Sequence, residues 1–85
     1  MSKIFIGGIP YNSVQGDFVE FCERKVGKIQ EISWITDRNS GNFRGFCFVI
    51  FEKEEDSVQA VLTLNNMEFD GRMLRCASAN PMKAK

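Results

Sequence analysis

Arg44-Gly45-Phe46-Cys47-Phe48-Val49-Ile50-Phe51 is the stretch whose reading decides the fold. In an extended chain successive side chains point to opposite faces, so Phe46, Phe48 and Ile50 share one side and Cys47, Val49 and Phe51 the other. One side must pack a core. The other then presents two neighbouring phenyl rings to solvent or to a ligand, unless a second layer covers it as in a fully buried strand. The stretch alone leaves both arrangements open.

The flanking sequence supplies the partners. Lys3 to Gly7 alternates, with Ile4 and Ile6 inward and Lys3, Phe5 and Gly7 outward. After the loop Gly8 to Asn12, Ser13 is expected to cap a helix whose apolar positions are Val14, Phe18, Phe21, Cys22 and Val26, with Gly27 ending it. Ile29 to Ile35 reads as a second strand, with Ile32 and the inward Trp34 on one side and Ser33 and Ile35 on the other. Thr36 to Phe43 reads as a polar loop turning at Ser40-Gly41. Glu54 to Leu64 is expected to be a helix with Val58, Val61 and Leu62 apolar and Ala60 permitting close approach. Asn65-Asn66 closes it, because Asn tolerates the left-handed conformation. A short connection or hairpin over Met67 to Gly71 leads to a last strand, Arg72 to Ala77.

The order is βαββαβ, and right-handed crossovers place both helices on one face of a four-stranded sheet. The expected class is α+β, a ferredoxin-like sandwich with an antiparallel sheet. Two helices cover one face only, so Phe5, Phe46 and Phe48 are expected on the open one, with Lys3, Ser33, Ile35, Met73, Arg75 and Ala77 by alternation. At 85 residues and 44% apolar the chain makes one globular domain, with a core over residues 3–79 and a loosely ordered tail over 80–85.

Eleven basic and eleven acidic residues give zero formal charge. Distribution counts for more than the sum. Asp17, Glu20, Glu23 and Glu52, Glu54, Glu55, Asp56 fall in or beside the expected helices, whereas Lys3, Arg38, Arg44, Arg72, Arg75, Lys83 and Lys85 lie mostly on or beside the expected strands. The three cysteines are far apart, with no CxxC, which argues against a disulfide framework or a thiolate metal site. Histidine is absent, which removes His-based catalysis and zinc hydrolase chemistry. No cofactor is expected. No apolar run approaches a membrane span and no signal peptide is visible, so no membrane partner is expected. The compartment stays open: the nucleus or cytoplasm is expected, with an organelle as the remaining option.

Two motifs carry a resemblance over essentially the whole chain. RGFCFVIF resembles the eight-residue motif of the RNA recognition motif family, and Ile4-Phe5-Ile6-Gly7-Gly8-Ile9 resembles its six-residue partner motif, with Gly8 in place of the usual Asn. The resemblance continues through Gly27-Lys28-Ile29, Asp37 to Gly41, Asn65-Asn66 and Phe69 to Cys76, then Ala79, with Asn66 where the family often has Gly. It implies a module of a larger RNA-processing or RNA-regulatory protein that binds single-stranded RNA. Phe5 and Phe48 would each stack a base, Phe46 would lie against the sugar between nucleotides, and Arg44 would meet a phosphate. Lys3 and Arg75 would read base edges or phosphates, Ile35 and Met73 would offer apolar contact, and Asn80 would contact a base from beyond the last strand. Arg44 pairing with Glu52 or Asp37 is the structural alternative to its phosphate role. Tyr11 is read equally as a stacking residue or as loop packing. Single-stranded DNA stays open as a ligand, since stacking does not distinguish the sugars.

Other classes fare less well. Small acylphosphatases use the same element order, and Val14-Gln15-Gly16 faintly resembles part of their phosphate loop, but the Arg that binds phosphate is missing from the residues that follow. No nucleophile is paired with a base, so an enzyme is not expected. The serious rival is a protein-interaction module using the acidic helix face or the sheet, with weak or no RNA binding of its own.

Overall fold

The computed structural model of the chain describes residues 2–79. Its elements are β1 (Lys3–Gly7), α1 (Gln15–Lys25), β2 (Ile29–Thr36), β3 (Phe43–Phe51), α2 (Glu54–Leu64), β4 (Glu68–Phe69), β5 (Arg72–Met73) and β6 (Arg75–Ser78). The main sheet has the order β2-β3-β1-β6, with each neighbouring pair antiparallel. Strands β4 and β5 form a separate two-stranded ribbon ahead of the last strand. The expected βαββαβ plan is the one observed.

Alternation divides the sheet as the sequence requires. Ile4, Ile6, Cys47, Val49 and Phe51 are at most 1% exposed and form the core with Phe18, Cys22, Ala60, Leu64 and Leu74. An aromatic layer sits inside it. The Phe18 ring meets the Phe69 ring edge-on at 5.2 Å and the Trp34 ring at 5.8 Å, and Trp34 lies flat on Phe43 at 3.9 Å. Trp34 is therefore on the core side, as alternation predicts. Phe43 is not a loop residue. It opens β3 and its ring is drawn onto Trp34.

The helix faces differ from expectation in an instructive way. In α1, Phe18 and Cys22 are buried, with Phe21 and Val26 packed beside them, but Val14 is 60% exposed. Val14, not Ser13, occupies the N-cap, with extended backbone that turns its side chain off the helix face. Ser13 is used by the preceding turn, where its N–H donates to the Pro10 carbonyl at 3.0 Å. In α2 the buried positions are Ser57, Ala60 and Leu64, while Val58 and Leu62 are 59% and 71% exposed. Small side chains face the sheet because they let the helix backbone come close, and that outweighs the hydrophobicity of the two residues left outside.

The last strand also differs. Arg72 to Ala77 does not run as one strand. Asp70 and Gly71, both at positive φ, make a two-residue hairpin turn that pairs Phe69 with Arg72 and Glu68 with Met73. The chain then passes through buried Leu74 into β6. Asn66, at φ 70, reverses the chain after α2, and its N–H donates to the Leu74 carbonyl at 2.8 Å. The Asn65 carboxamide accepts from the Cys76 N–H at 3.0 Å and ties the end of α2 to the edge strand.

Truncating a side chain on each face tests this packing. Phe18→Ala should cost about 3–5 kcal/mol in urea unfolding. Val58→Ala and Leu62→Ala should each stay within about 0.5 kcal/mol, as surface changes do.

Candidate nucleic-acid interface

Two adjacent strands, β1 and β3, supply the aromatic face. Register sets Ser33, Phe48, Phe5 and Ala77 in one row across β2, β3, β1 and β6, and Phe46, Gly7 and Arg75 in the next. A third row holds Glu31, Ile50 and Lys3. Phe5, Phe46 and Phe48 are half-buried, and their rings form a triangle with centroids 5.7, 5.8 and 6.0 Å apart. The rings are tilted or edge-on to one another, an arrangement aromatic quadrupoles favour.

Gly7 shapes this triangle, and the sequence reading assigned it no role. A methyl group there would lie 2.7 Å from Cζ of Phe5 and 3.7 Å from Cβ of Phe46. The Phe5 ring thus leans along its own strand over the bare glycine, toward the row of Phe46 and Arg75. The available signal was a glycine inside a strand, which often marks close approach.

Charged groups border the rings. Lys3 Nζ sits 5.6 Å from the centroid of Phe48, within cation–π range. Arg75 is exposed across β1 from Phe46, with Gly7 between them. Arg44 is exposed at the entry of β3 and forms no ion pair with Asp37 or Glu52; the pair among the described residues is Glu20 with Arg24 on α1, at 2.9 Å. Asp37 is occupied otherwise. Its carboxylate accepts from the Ser40 N–H at 3.0 Å and the Ser40 hydroxyl at 2.9 Å, which close the β2–β3 loop. Those bonds hold the Asp37 carboxyl below its ordinary range, with the nearby Arg44 charge adding to them.

One expected member stands elsewhere. Met73 is not on the sheet face: it belongs to the β4–β5 ribbon and is 59% exposed there. Its carbonyl oxygen would be 2.5 Å from a side-chain carbon at position 8, where the backbone has φ +76. Glycine at position 8 therefore lets the ribbon close onto the end of β1. Ile35 is half-buried within a register shift between Trp34 and Thr36, where β3 carries extra residues and Gly45 takes φ +91. Asn80 lies outside the described residues.

The three cysteines lie on the core side of the sheet. Burial pushes the Cys47 thiol up to about 12 and the Cys76 thiol up to about 11, and raises Cys22 further. These thiols stay protonated and act as small core residues. Among the described residues no cluster of three or more His, Cys, Asp or Glu side chains could hold a metal ion.

The sequence profile of the family described as RNA recognition motif matches residues 4–75. The chain belongs to that family. Its RNA recognition motif is 36% identical over 76 residues to heterogeneous nuclear ribonucleoprotein Q of Arabidopsis thaliana, covering 89% of this chain and 15% of that protein. It is 35% identical to multiple RNA-binding domain-containing protein 1 of Candida glabrata, covering 95% of this chain and 9% of that protein. The chain thus spans a small fraction of these relatives. Among solved structures, the RNA15 RRM superposes with a TM-score of 0.87 at 26% identity, covering 93% of this chain and 90% of that one. The Rna15 RRM with bound RNA (GU) gives 0.81 at 28% identity, covering 96% and 87%.

Two changes test the geometry. Gly7→Ala should displace the Phe5 ring, seen as altered aromatic shifts of Phe5 and Phe46 in NMR spectra with the fold retained. On acidification the Ser40 amide should hold its shift through the ordinary carboxylate range and move only below it. The loop bonds are present above Asp37's unfolded pKa and lost as pH falls through its lowered folded one.

Proposed function

We propose that this domain binds single-stranded RNA on the open sheet face, as one module of a larger RNA-processing or RNA-regulatory protein. The observation that carries the reading is the three-ring cluster of Phe5, Phe46 and Phe48 on the face opposite the helices, with every pair of centroids within 6.0 Å. An aromatic face accepts any base, and unstacked bases occur in single strands. A broad sheet cannot enter the deep major groove of an RNA duplex. In this reading Phe5 and Phe48 each stack a base, Phe46 packs against the intervening sugar, and Lys3, Arg44 and Arg75 meet phosphates or base edges. The RNA-binding relatives and the RNA-bound Rna15 neighbour support the same ligand class.

Three cations beside the rings imply modest electrostatics. With up to three phosphate contacts, the slope of log K against log salt should be no steeper than about −2 for a single strand. Phe5→Ala and Phe48→Ala should each weaken binding of a short RNA by about 1–3 kcal/mol in an NMR or anisotropy titration. Wild-type affinity surviving in the Phe46→Ala/Phe48→Ala double variant would refute the reading. Equal affinity for DNA of the same sequence would remove the ribose from it.

A second reading, contact with another protein through the helix side, is favoured by Val58 and Leu62, which stand exposed on α2. Such contact should persist in the same double variant.

A further inference from the structure

On the helix side of the molecule, α2 and the edge strand β6 flank an apolar groove of about 260 Å³, with Ser57, Val58, Val61 and Leu62 of the helix facing Ile4 and Ser78 of the sheet. We propose that this groove seats the chain's own segment after β6: Met82 inserts its side chain between Val58 and Leu62, and Lys83 lies against Glu55. The proposal stands apart from the RNA-binding reading. It concerns the opposite face, and it gives the chain leaving β6 a course away from the aromatic rings.

Two observations point to an occupant. Val58 and Leu62, one helical turn apart, are both exposed although they border a concave apolar site, and grouped apolar side chains of this kind mark a contact surface. The second observation is Ser57. The residue is 2% exposed, and its hydroxyl has no hydrogen-bond partner among the described residues. A serine in mid-helix can bond the carbonyl four residues back, but this one does not, and it lines the groove. A buried hydroxyl left unpaired costs free energy, and a peptide group laid beside it supplies a donor or an acceptor. The groove is smaller than the roughly 300–1,000 Å³ of small-molecule sites, so it suits one side chain with its backbone.

Where the chain leaves the sheet selects the occupant. The Ala79 N–H donates to the Lys3 carbonyl at 2.8 Å, just past the end of β6. In an antiparallel ladder the next donor toward β1 belongs two positions on, to residue 81. That residue is proline, which has no N–H, so the ladder stops at Ala79. Ser78 already lines the groove, and three extended residues span about 10 Å, enough to bring Met82 over Val58 and Leu62. Methionine is unbranched and flexible, and it fills irregular apolar gaps well. Charge agrees with this placement. Glu55 lies three residues before Val58 and seven before Leu62, on the same stripe of α2. It is exposed and forms no ion pair among the described residues. Its neighbours are engaged otherwise: Glu54 accepts from the Ser2 N–H at 3.2 Å and from the Ser2 hydroxyl, and Asp56 lies over Gly27. Glu55 is thus the carboxylate that remains for Lys83.

The test is methyl NMR on the full 85-residue chain labelled with carbon-13. Wild type should show cross-peaks from the Met82 ε-methyl to the methyls of Val58 and Leu62. Met82→Ser should abolish them and shift those Val58 and Leu62 methyls, with the amide spectrum of the sheet unchanged. Leu62→Ala, a surface change, should return the Met82 ε-methyl to its position in the urea-unfolded chain. Lys83→Glu should weaken the cross-peaks. The identity of the occupant is read from a mixture of labelled and unlabelled chains, filtered for contacts between copies, in which no Met82 cross-peak should appear. Cross-peaks in that mixture would overturn the proposal in favour of a second copy of the chain. A wild-type Met82 methyl already at its unfolded position would overturn it and leave the groove to a different protein. Cross-peaks from Met82 to Phe5, Phe46 or Phe48 would overturn it by placing the segment on the ring face.

Discussion

Two eleven-residue helices cover one face of a four-stranded sheet, and the chain has no other described element broad enough to cover the second. Everything about the open face follows from that constraint. β3 must place Cys47, Val49 and Phe51 under the helices, so its alternate positions are committed to the outside whether or not they are apolar. Three phenylalanines there cost hydrophobic exposure that a purely structural sheet would avoid with polar residues. An exposed apolar cluster of this kind marks a contact surface. Half-burial of each ring against its neighbours limits the cost while leaving faces available.

Glycine, rather than the aromatics, fixes the shape of that surface. Gly7 lets the Phe5 ring lie along the sheet, and Gly45 lets the Tyr11 ring rest against the backbone of β3. Gly8 admits the β4–β5 ribbon to the end of β1. In each place the missing side chain is filled by a group from elsewhere, so the motif glycines act as sockets. Charge is arranged to match. Glu54, Glu55 and Asp56 gather at the N-terminal turn of α2, where the helix dipole favours them, while Lys3, Arg44 and Arg75 border the rings. Zero net charge therefore conceals a polarity between the two sides.

The element order and the open face were legible in the sequence because both rest on period two and on the number of helices. Asn66 was legible too, since few residues accept its backbone. The buried stripe of α2 was not: Val58 and Leu62 are more hydrophobic than Ser57 and Ala60, and only the nearness of the sheet reverses the order. The break at Leu74 was hidden for a similar reason, as Arg72 to Ala77 alternates evenly across the point where the partner strand changes. Met73 was misplaced with it. Phe43 read as loop because its stacking partner, Trp34, lies across a register irregularity that spacing alone does not reveal.

That stack has an optical consequence. Trp34 is the chain's single tryptophan, with its indole against Phe18 on one flank and parallel to Phe43, at 3.9 Å, on another. Phe43 in turn forms part of the wall of a cleft at the sheet's end. The protein thus contains its own fluorophore, half-buried against the core and one ring away from the surface. Ultraviolet emission excited selectively at the indole reports the state of the β2–β3 neck with no label attached. A movement of Phe43 there would be read as a change in intensity or wavelength, while events on the far side of the molecule would leave the signal dark.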